Sequence, residues 1–235
     1  MLCYYVDTVV KRAERRAIYS AINIQTYSKS PSVKTDSDQY QGEIMNRNLL
    51  IVGAGIYSVI TLEIAQSLGC YNKISFIDDF ADQTPNGIAV VGTTKDLEIL
   101  SSEYTHAIVA IGNPSVRAAL LNRIERDTDM TITTLISPQA YVSPNATISK
   151  GCIIEPMAVI QAGCNIGKGC IVCAGAVINH CSTCGEYVQV DCNSIIAGYS
   201  SVPDDTKIAF GTFYQNKDAR MLAPFNFMNF KYRNR

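Results

Sequence analysis

At 235 residues, with 47% hydrophobic and 17% charged residues, the chain has the make-up of a globular protein of two compact units. A net charge of -1 and a pI near 6.1 give it no general attraction to nucleic acid or to an anionic membrane. No apolar run approaches the roughly 20 residues needed to cross a bilayer, and the N-terminus lacks the apolar core of a signal peptide, so the expected location is the cytoplasm with no membrane insertion.

Residues 1–47 read as an extension. An amphipathic helix is expected over Tyr4 to Ile24, with Lys11, Arg12, Arg15 and Arg16 as a solvated basic face. The polar stretch from Thr26 to Gln41 has too little apolar surface to order itself and is expected to be partly flexible.

From Leu49 an apolar strand runs through Val52, then Gly53-Ala54-Gly55, then a helix from about Tyr57 to Leu68 that Gly69 can end. Such a glycine turn lets backbone amides approach a phosphate or another polar ligand group. The motif is an incomplete G-x-G-x-x-G, because Ser58 stands where the last glycine belongs. Lys73 to Ile77 is the next strand. It ends at Asp78 and Asp79, whose carboxylates suit either a ribose or plain turn chemistry, and the sequence leaves both open.

A third strand is expected over Ile88 to Val91, followed by a capping box, Thr93 with Asp96, opening a helix through Leu100. His106 to Ile111 forms another strand, in which His106 reads as structural. Gly112-Asn113-Pro114 then caps a helix reaching about Arg126, and Thr131 to Leu135 is the last strand of the unit. Residues 48–135 thus form a Rossmann-like small parallel sheet, about half a dinucleotide fold. It has room for one nucleotide and a sugar rather than NAD. Ligand contacts are expected at the carboxyl ends of its strands: Gly53, Gly55, Tyr57, Asp78, Asp79, Gly112 and Asn113.

From Ile136 to about Gly211 an aliphatic residue returns at every sixth position: Ile136, Val142, Ile148, Ile154, Ile160, Ile166, Val172, Ile178, then Cys184, Val190, Ile196, Val202 and Ile208. Four places after each comes a small residue, from Ala140 and Ala146 to Ser200 and Thr206, with Val188 the one larger exception. A six-residue return makes each hexad one extended side of a coil. Stacked backbones about 4.8 Å apart leave room for only a small second inward residue. Residues 136–212 are therefore expected as a parallel β-helix and 213–235 as an apolar tail able to cap it or pack on a neighbour.

The pairs Cys170/Cys173 and Cys181/Cys184 suggest zinc, but the repeat frame puts Cys170 and Cys184 inside and Cys173 and Cys181 on the surface. No metal is expected from pairs split in this way. Of the two histidines, His180 sits two places after Ile178, outside both inward series, and should project towards solvent or a neighbouring subunit.

The strand Leu49 to Gly55, Phe76-Ile77-Asp78-Asp79, Ala110 to Asn113, Ile136-Ser137-Pro138 and the coils containing Ile178-Asn179-His180 together resemble a bacterial acyltransferase family. That family includes sialic-acid O-acetyltransferases and UDP-4-amino-sugar N-acetyltransferases. The resemblance implies a left-handed β-helix, a homotrimer with active sites between subunits, a sugar nucleotide on residues 48–135 and acetyl-CoA as acyl donor. It also implies that His180 is the general base, and that Gly198 and Gln189 contact the cofactor. Cys181 stands where the family keeps a carboxylate beside the histidine, and no further coils follow Gly211. Two functions therefore compete: a sugar N- or O-acetyltransferase of surface glycan synthesis, and a catalytically impaired sugar-nucleotide-binding trimer. A carbonic-anhydrase-like metal site needs several histidines on neighbouring coils, and the repeat has one.

Overall fold

A computed structural model describes residues 47–216. The expected helix over Tyr4 to Ile24 and the tail residues from Met221 onward lie outside the described residues.

The first unit is a five-stranded, all-parallel sheet in the order β3 (Val90–Gly92), β2 (Lys73–Ile77), β1 (Asn48–Val52), β4 (His106–Val109) and β5 (Thr131–Ile132). Its central strand β1 (Asn48–Val52) is buried along its whole length, as its unbroken apolar run requires of a strand covered on both faces. Helix α1 (Ile56–Leu68) leads to β2 (Lys73–Ile77), which pairs with β1 in full register, Asn48 opposite Lys73. Gly69 ends α1 at φ 62°, a left-handed conformation that glycine adopts without cost.

Strand β3 covers Val90–Gly92, two residues later than expected. The preceding segment turns back on itself, with Gln83 bridged antiparallel to Ala89 and the Ile88 carbonyl accepting from the Thr84 amide. The Thr93/Asp96 capping box is present, opening a 3-10 turn (Thr94–Asp96) and a single helical turn, α2 (Leu97–Leu100). Strand β4 (His106–Val109) and helix α3 (Pro114–Asp127), capped by the Asn113 carboxamide on the Val116 amide, follow. The expected strand over Thr131 to Leu135 is two strands. β5 (Thr131–Ile132) closes the sheet and β6 (Leu135–Ile136) begins the first coil, the chain changing partners at Thr133 and Thr134.

From β6 onward the chain is a left-handed parallel β-helix. Strands of two residues stack into three faces of five, five and four strands. Ile154 pairs with Val172, so one coil is 172 - 154 = 18 residues, or three hexads. The first face carries Leu135–Ile136, Ile153–Ile154, Ile171–Val172, Gln189–Val190 and Lys207–Ile208. The second begins at Tyr141–Val142 and ends at Phe213–Tyr214, and the third begins at Thr147–Ile148. The aliphatic series from Ile154 to Ile208 fills one continuous core.

The small inward series also donates hydrogen bonds. Cys152, Cys164 and Cys170 each point Sγ at the carbonyl fifteen residues on, at 3.1, 3.1 and 3.0 Å, and the Ser182 and Ser194 hydroxyls do the same at 2.9 and 2.6 Å. A third six-residue series marks the corners. Gly151, Met157, Gly163, Gly169, Gly175, Cys181, Tyr187, Asn193, Tyr199, Asp205 and Gly211 all have positive φ. Cys173 corrects the sequence reading: it projects from the prism, as expected, yet it is 5% exposed because the sheet domain covers that face.

Arg117 joins the two units. It has no exposed surface, and its guanidinium donates to the Gly169 carbonyl at 2.7 Å, to Ile111 and Gly112 at 2.8 and 2.9 Å, and to Tyr187. Replacing it with methionine strands four buried carbonyls. Urea denaturation should show a loss of about 3–5 kcal/mol, the usual cost of breaking a buried charged contact. Near the surface, Lys150 and Lys168 on the coils both reach Glu125 of α3 and hold its carboxyl below the ordinary range. A depressed carboxylate contributes stability above its unfolded pKa and loses it as pH falls through the folded value. Wild type should therefore exceed Glu125→Gln by up to about 1 kcal/mol at neutral pH, and acid titration of stability should show that margin closing below about pH 4.5.

Candidate active site

The sheet order places the topological switch between β1 and β4, and the crevice there lies outside the carboxyl ends of the strands. A cleft of about 500 Å³ occupies it, lined by Gly53, Asp78, Asp79, Phe80, Thr94, Ile111, Ser115 and Arg123 among others. Gly53 sits at φ 108°, and a Cβ there would fall 2.9 Å from Ile111 Cγ1, so only glycine lets β1 turn beside β4. Both aspartates do turn chemistry. Asp78 accepts from the Ala54 amide at 2.8 Å and from the Phe80 and Ala81 amides, while Asp79 accepts from the Thr94 amide and hydroxyl at 2.8 and 3.0 Å. They fix the rim of the cleft, with no oxygen left unengaged.

Two cleft residues escaped the sequence reading. Phe80 is fully exposed at the rim, a flat apolar face available for stacking, and Arg123 brings a cation from α3. Phe80 had a legible signal, an aromatic directly after a strand-end acidic pair. Arg123 had none, because helix surfaces carry arginine routinely.

The other expected contacts separate. Gly55 is exposed at the start of α1 and Asn113 is spent as a helix cap. Tyr57 does not line the cleft. Its hydroxyl is buried against the prism without a hydrogen-bond partner, beside Glu155, and burial first and that carboxylate second push it well above the usual phenol range. Gly112 faces Gln189, whose Oε1 a Cβ at Gly112 would approach to 3.3 Å. Gln189 lies buried on the first face and donates to Asp191 Oδ1 at 2.6 Å.

His180 occupies a different wall, at the corner after the second-face strand Val177–Ile178. It is exposed, as the repeat frame requires, and its backbone amide is tied to Asn179 Oδ1 at 2.8 Å. The ring is held edge-on to Tyr199, with centroids 5.0 Å apart at 82°. Gly198 makes room for it, since a Cβ there would lie 3.0 Å from Cε1 and 3.2 Å from Nε2. Among the described residues the Gly198 amide makes no backbone hydrogen bond, so a donor stands free beside an imidazole. Cys181, at φ 56°, turns its sulfur towards Gly163 of the preceding coil. Within one chain, then, the cleft, the Tyr57–Gln189 seam and the His180 corner are three separate places.

The sequence matches the PglD N-terminal domain family over residues 48–124 and the bacterial transferase hexapeptide family, as six repeats, over residues 145–180. Among solved structures it is similar to the acetyltransferase domain of PglB from Neisseria gonorrhoeae FA1090, with 31% identity, 71% of this chain and 81% of that chain covered, and a TM-score of 0.67. The same domain in complex with acetyl coenzyme A matches at 28% identity, 69% and 96% coverage and a TM-score of 0.54. WeeI from Acinetobacter baumannii AYE shares the fold at 20% identity, 73% and 82% coverage and a TM-score of 0.65. A comparison with curated proteins gave no match. The two units define a hexapeptide-repeat acyltransferase. More narrowly, the chain belongs to the bacterial acetyltransferases that carry a PglD-type N-terminal domain before the repeats.

Gly198→Ala should displace the His180 ring by a few tenths of an ångström or more. Thermal denaturation should nonetheless show stability within about 1 kcal/mol of wild type.

Proposed function

We propose that the protein moves an acetyl group from acetyl-CoA to an amine or hydroxyl of a nucleotide-linked sugar, in the cytoplasm, for surface glycan synthesis. The observation that carries this reading is the His180 corner, an exposed imidazole packed between Gly198 and Tyr199 beside an unspent backbone amide. His180 takes the proton from the acceptor as that atom attacks the thioester carbonyl. The Gly198 amide donates to the oxygen that becomes negative, and the thiolate of CoA leaves. The cleft behind Phe80 and Arg123 takes the nucleotide.

The three separated places meet between copies of the chain. The second face presents an apolar column, Tyr141, Val159, Val177, Ile195 and Phe213, of which Tyr141, Ile195 and Phe213 are 58, 41 and 64% exposed. A column of this kind fits a second and third copy, with His180 at its edge and acetyl-CoA between subunits. The neighbouring subunit's Gln189 then lies on the cofactor side and its Gly112 on the acceptor side.

Cys181 favours a second reading. Among the described residues no side chain hydrogen-bonds the His180 ring nitrogens, so nothing fixes its tautomer as a carboxylate would. In that case the protein is a sugar-nucleotide-binding trimer without turnover. Calorimetry separates the two, because binding of a UDP-sugar with no binding of acetyl-CoA at millimolar concentration favours the binder.

With acetyl-CoA and a panel of amino-sugar nucleotides, release of free CoA is expected, and His180→Ala should lower it by about 10²–10⁴-fold. Equal release by the variant removes the proposed base. Ile195→Asp should shift sedimentation from trimer to monomer and lose turnover with it, since burying an unpaired carboxylate costs several kcal/mol.

A further inference from the structure

The seam between the sheet domain and the prism holds a cluster that acetyl transfer leaves unused. Glu155 and Cys173 follow the inward residues Ile154 and Val172, so they stack one coil apart on the first face, and Cys192 sits one coil further on. A carboxylate oxygen of Glu155 and the sulfurs of Cys173 and Cys192 all lie within 4.8 Å of one another. Glu155 and Cys173 are buried and Cys192 is half-buried. The unpartnered Tyr57 hydroxyl is buried beside Glu155, and Gln189, itself 7% exposed, keeps an unpartnered Oε1 on the next strand of the same face.

We infer that Glu155, Cys173 and Cys192 bind one divalent cation of the zinc class, with the Tyr57 oxygen or a water in the fourth position. Two thiolates and a carboxylate select a borderline-soft ion over magnesium or calcium. Tetrahedral zinc with about 2.3 Å bonds to sulfur sets ligand atoms about 3.8 Å apart, so the three side chains need close by only about 1 Å. Stacked strands hold two of the three ligands, and the half-exposed Cys192 gives the ion its way in. Asp191, which accepts from Cys173 Sγ at 3.9 Å and from Gln189, and the Ala174 amide, which donates to Glu155 Oε2 at 2.9 Å, supply the outer contacts such ligands require. The partner of Cys173 is thus Cys192 of the neighbouring coil, and Cys170, its C-x-x-C companion, stays in the prism core.

Binding is a simple exchange. Two thiol protons and the waters displaced from the hydrated ion leave to solvent, two metal–sulfur bonds and one bond to the Glu155 oxygen form, the fourth position is held by a retained water or the neutral Tyr57 oxygen, and no electron moves.

The test needs no acetyl transfer, so its outcome is independent of the proposed activity. Full-length protein is stripped with chelator, incubated with Zn²⁺, desalted and assayed for metal, and a parallel sample is loaded with Co²⁺. The expected result is one zinc per chain, release of about two protons per metal in weakly buffered solution, and tetrahedral cobalt bands with sulfur charge transfer. Cys173→Ser and Cys192→Ser should each weaken retention by more than the roughly 10–100-fold that outer contacts command, with Cys70→Ser unchanged. Cys192→Ser keeps the test sound if the buried variant misfolds. Wild-type protein that retains no zinc, or retention unaltered in Cys192→Ser, overturns the site.

Discussion

Among the described residues, the sheet domain is tied to the prism by a buried cation that meets carbonyls of both. Arg117 leaves α3 with no exposed surface and meets four carbonyls: two from the strand-end loop Ile111–Gly112 and two from prism corners at Gly169 and Tyr187. Its fork of five donors matches that job, which the single ammonium of lysine could not do. The same contacts hold Gly112 against Gln189 and bring Tyr187 onto Leu121 in the core of the sheet domain. Burial draws the guanidinium pKa down, yet the group starts so high that it stays charged at any pH the fold survives.

The prism solves a different problem, that of stacking backbones with two inward side chains per hexad and no room for a second large one. The small series answers twice, by size and by chemistry. Corner carbonyls at Gly167, Asn179 and Gly185 face the interior edge, and a cysteine fifteen residues earlier satisfies each. An alanine at Cys170 would fit and leave a carbonyl unmet. Burial lifts the Cys152, Cys164 and Cys184 thiols above their ordinary range, so they stay protonated and inert inside the prism.

The repeat itself was legible because a six-residue period is written in every hexad and neither helix nor sheet can imitate it. The βα order of residues 48–135 was legible too, from caps at Thr93 and Asn113 and the stop at Gly69. What escaped was whatever depended on one unit lying over the other. Cys173 projects outward as the frame demands, but its burial comes from the sheet domain, which the frame does not know about. Arg117 had a faint trace: Arg117, Leu121 and Ile124, spaced by four and three, form the buried stripe of α3, and a charge at the head of that stripe asks for a partner. Asp78 and Asp79 sit at the expected strand end, but whether a carboxylate faces a ligand or an amide depends on where Ala54 and Thr94 return, which spacing does not encode.

The residue just before each inward aliphatic points away from the prism and shares its face with the residue eighteen places on, so the faces can be told apart by their outward chemistry. On the third face that column is Thr147, Asn165, Thr183 and Ser201, polar throughout, and this wall belongs to solvent. On the second it is Tyr141, Val159, Val177, Ile195 and Phe213, apolar and uncovered by the described chain. On the first it begins Leu135, Ile153, Ile171 and then turns polar at Gln189 and Lys207. The change marks how far the sheet domain reaches: Leu135 and Ile153 pack into its apolar underside, Ile171 of the third coil is fully buried, the fourth meets Gly112 through an amide, and at the fifth Lys207 is half exposed and paired with Asp191. The polar seam thus runs along the edge of that cover, with Glu155 and Cys173 buried beneath it and Cys192 half-buried at its margin, and the buried groups stand there only because they face one another and the polar atoms of Asp191 and Ala174 rather than hydrocarbon alone.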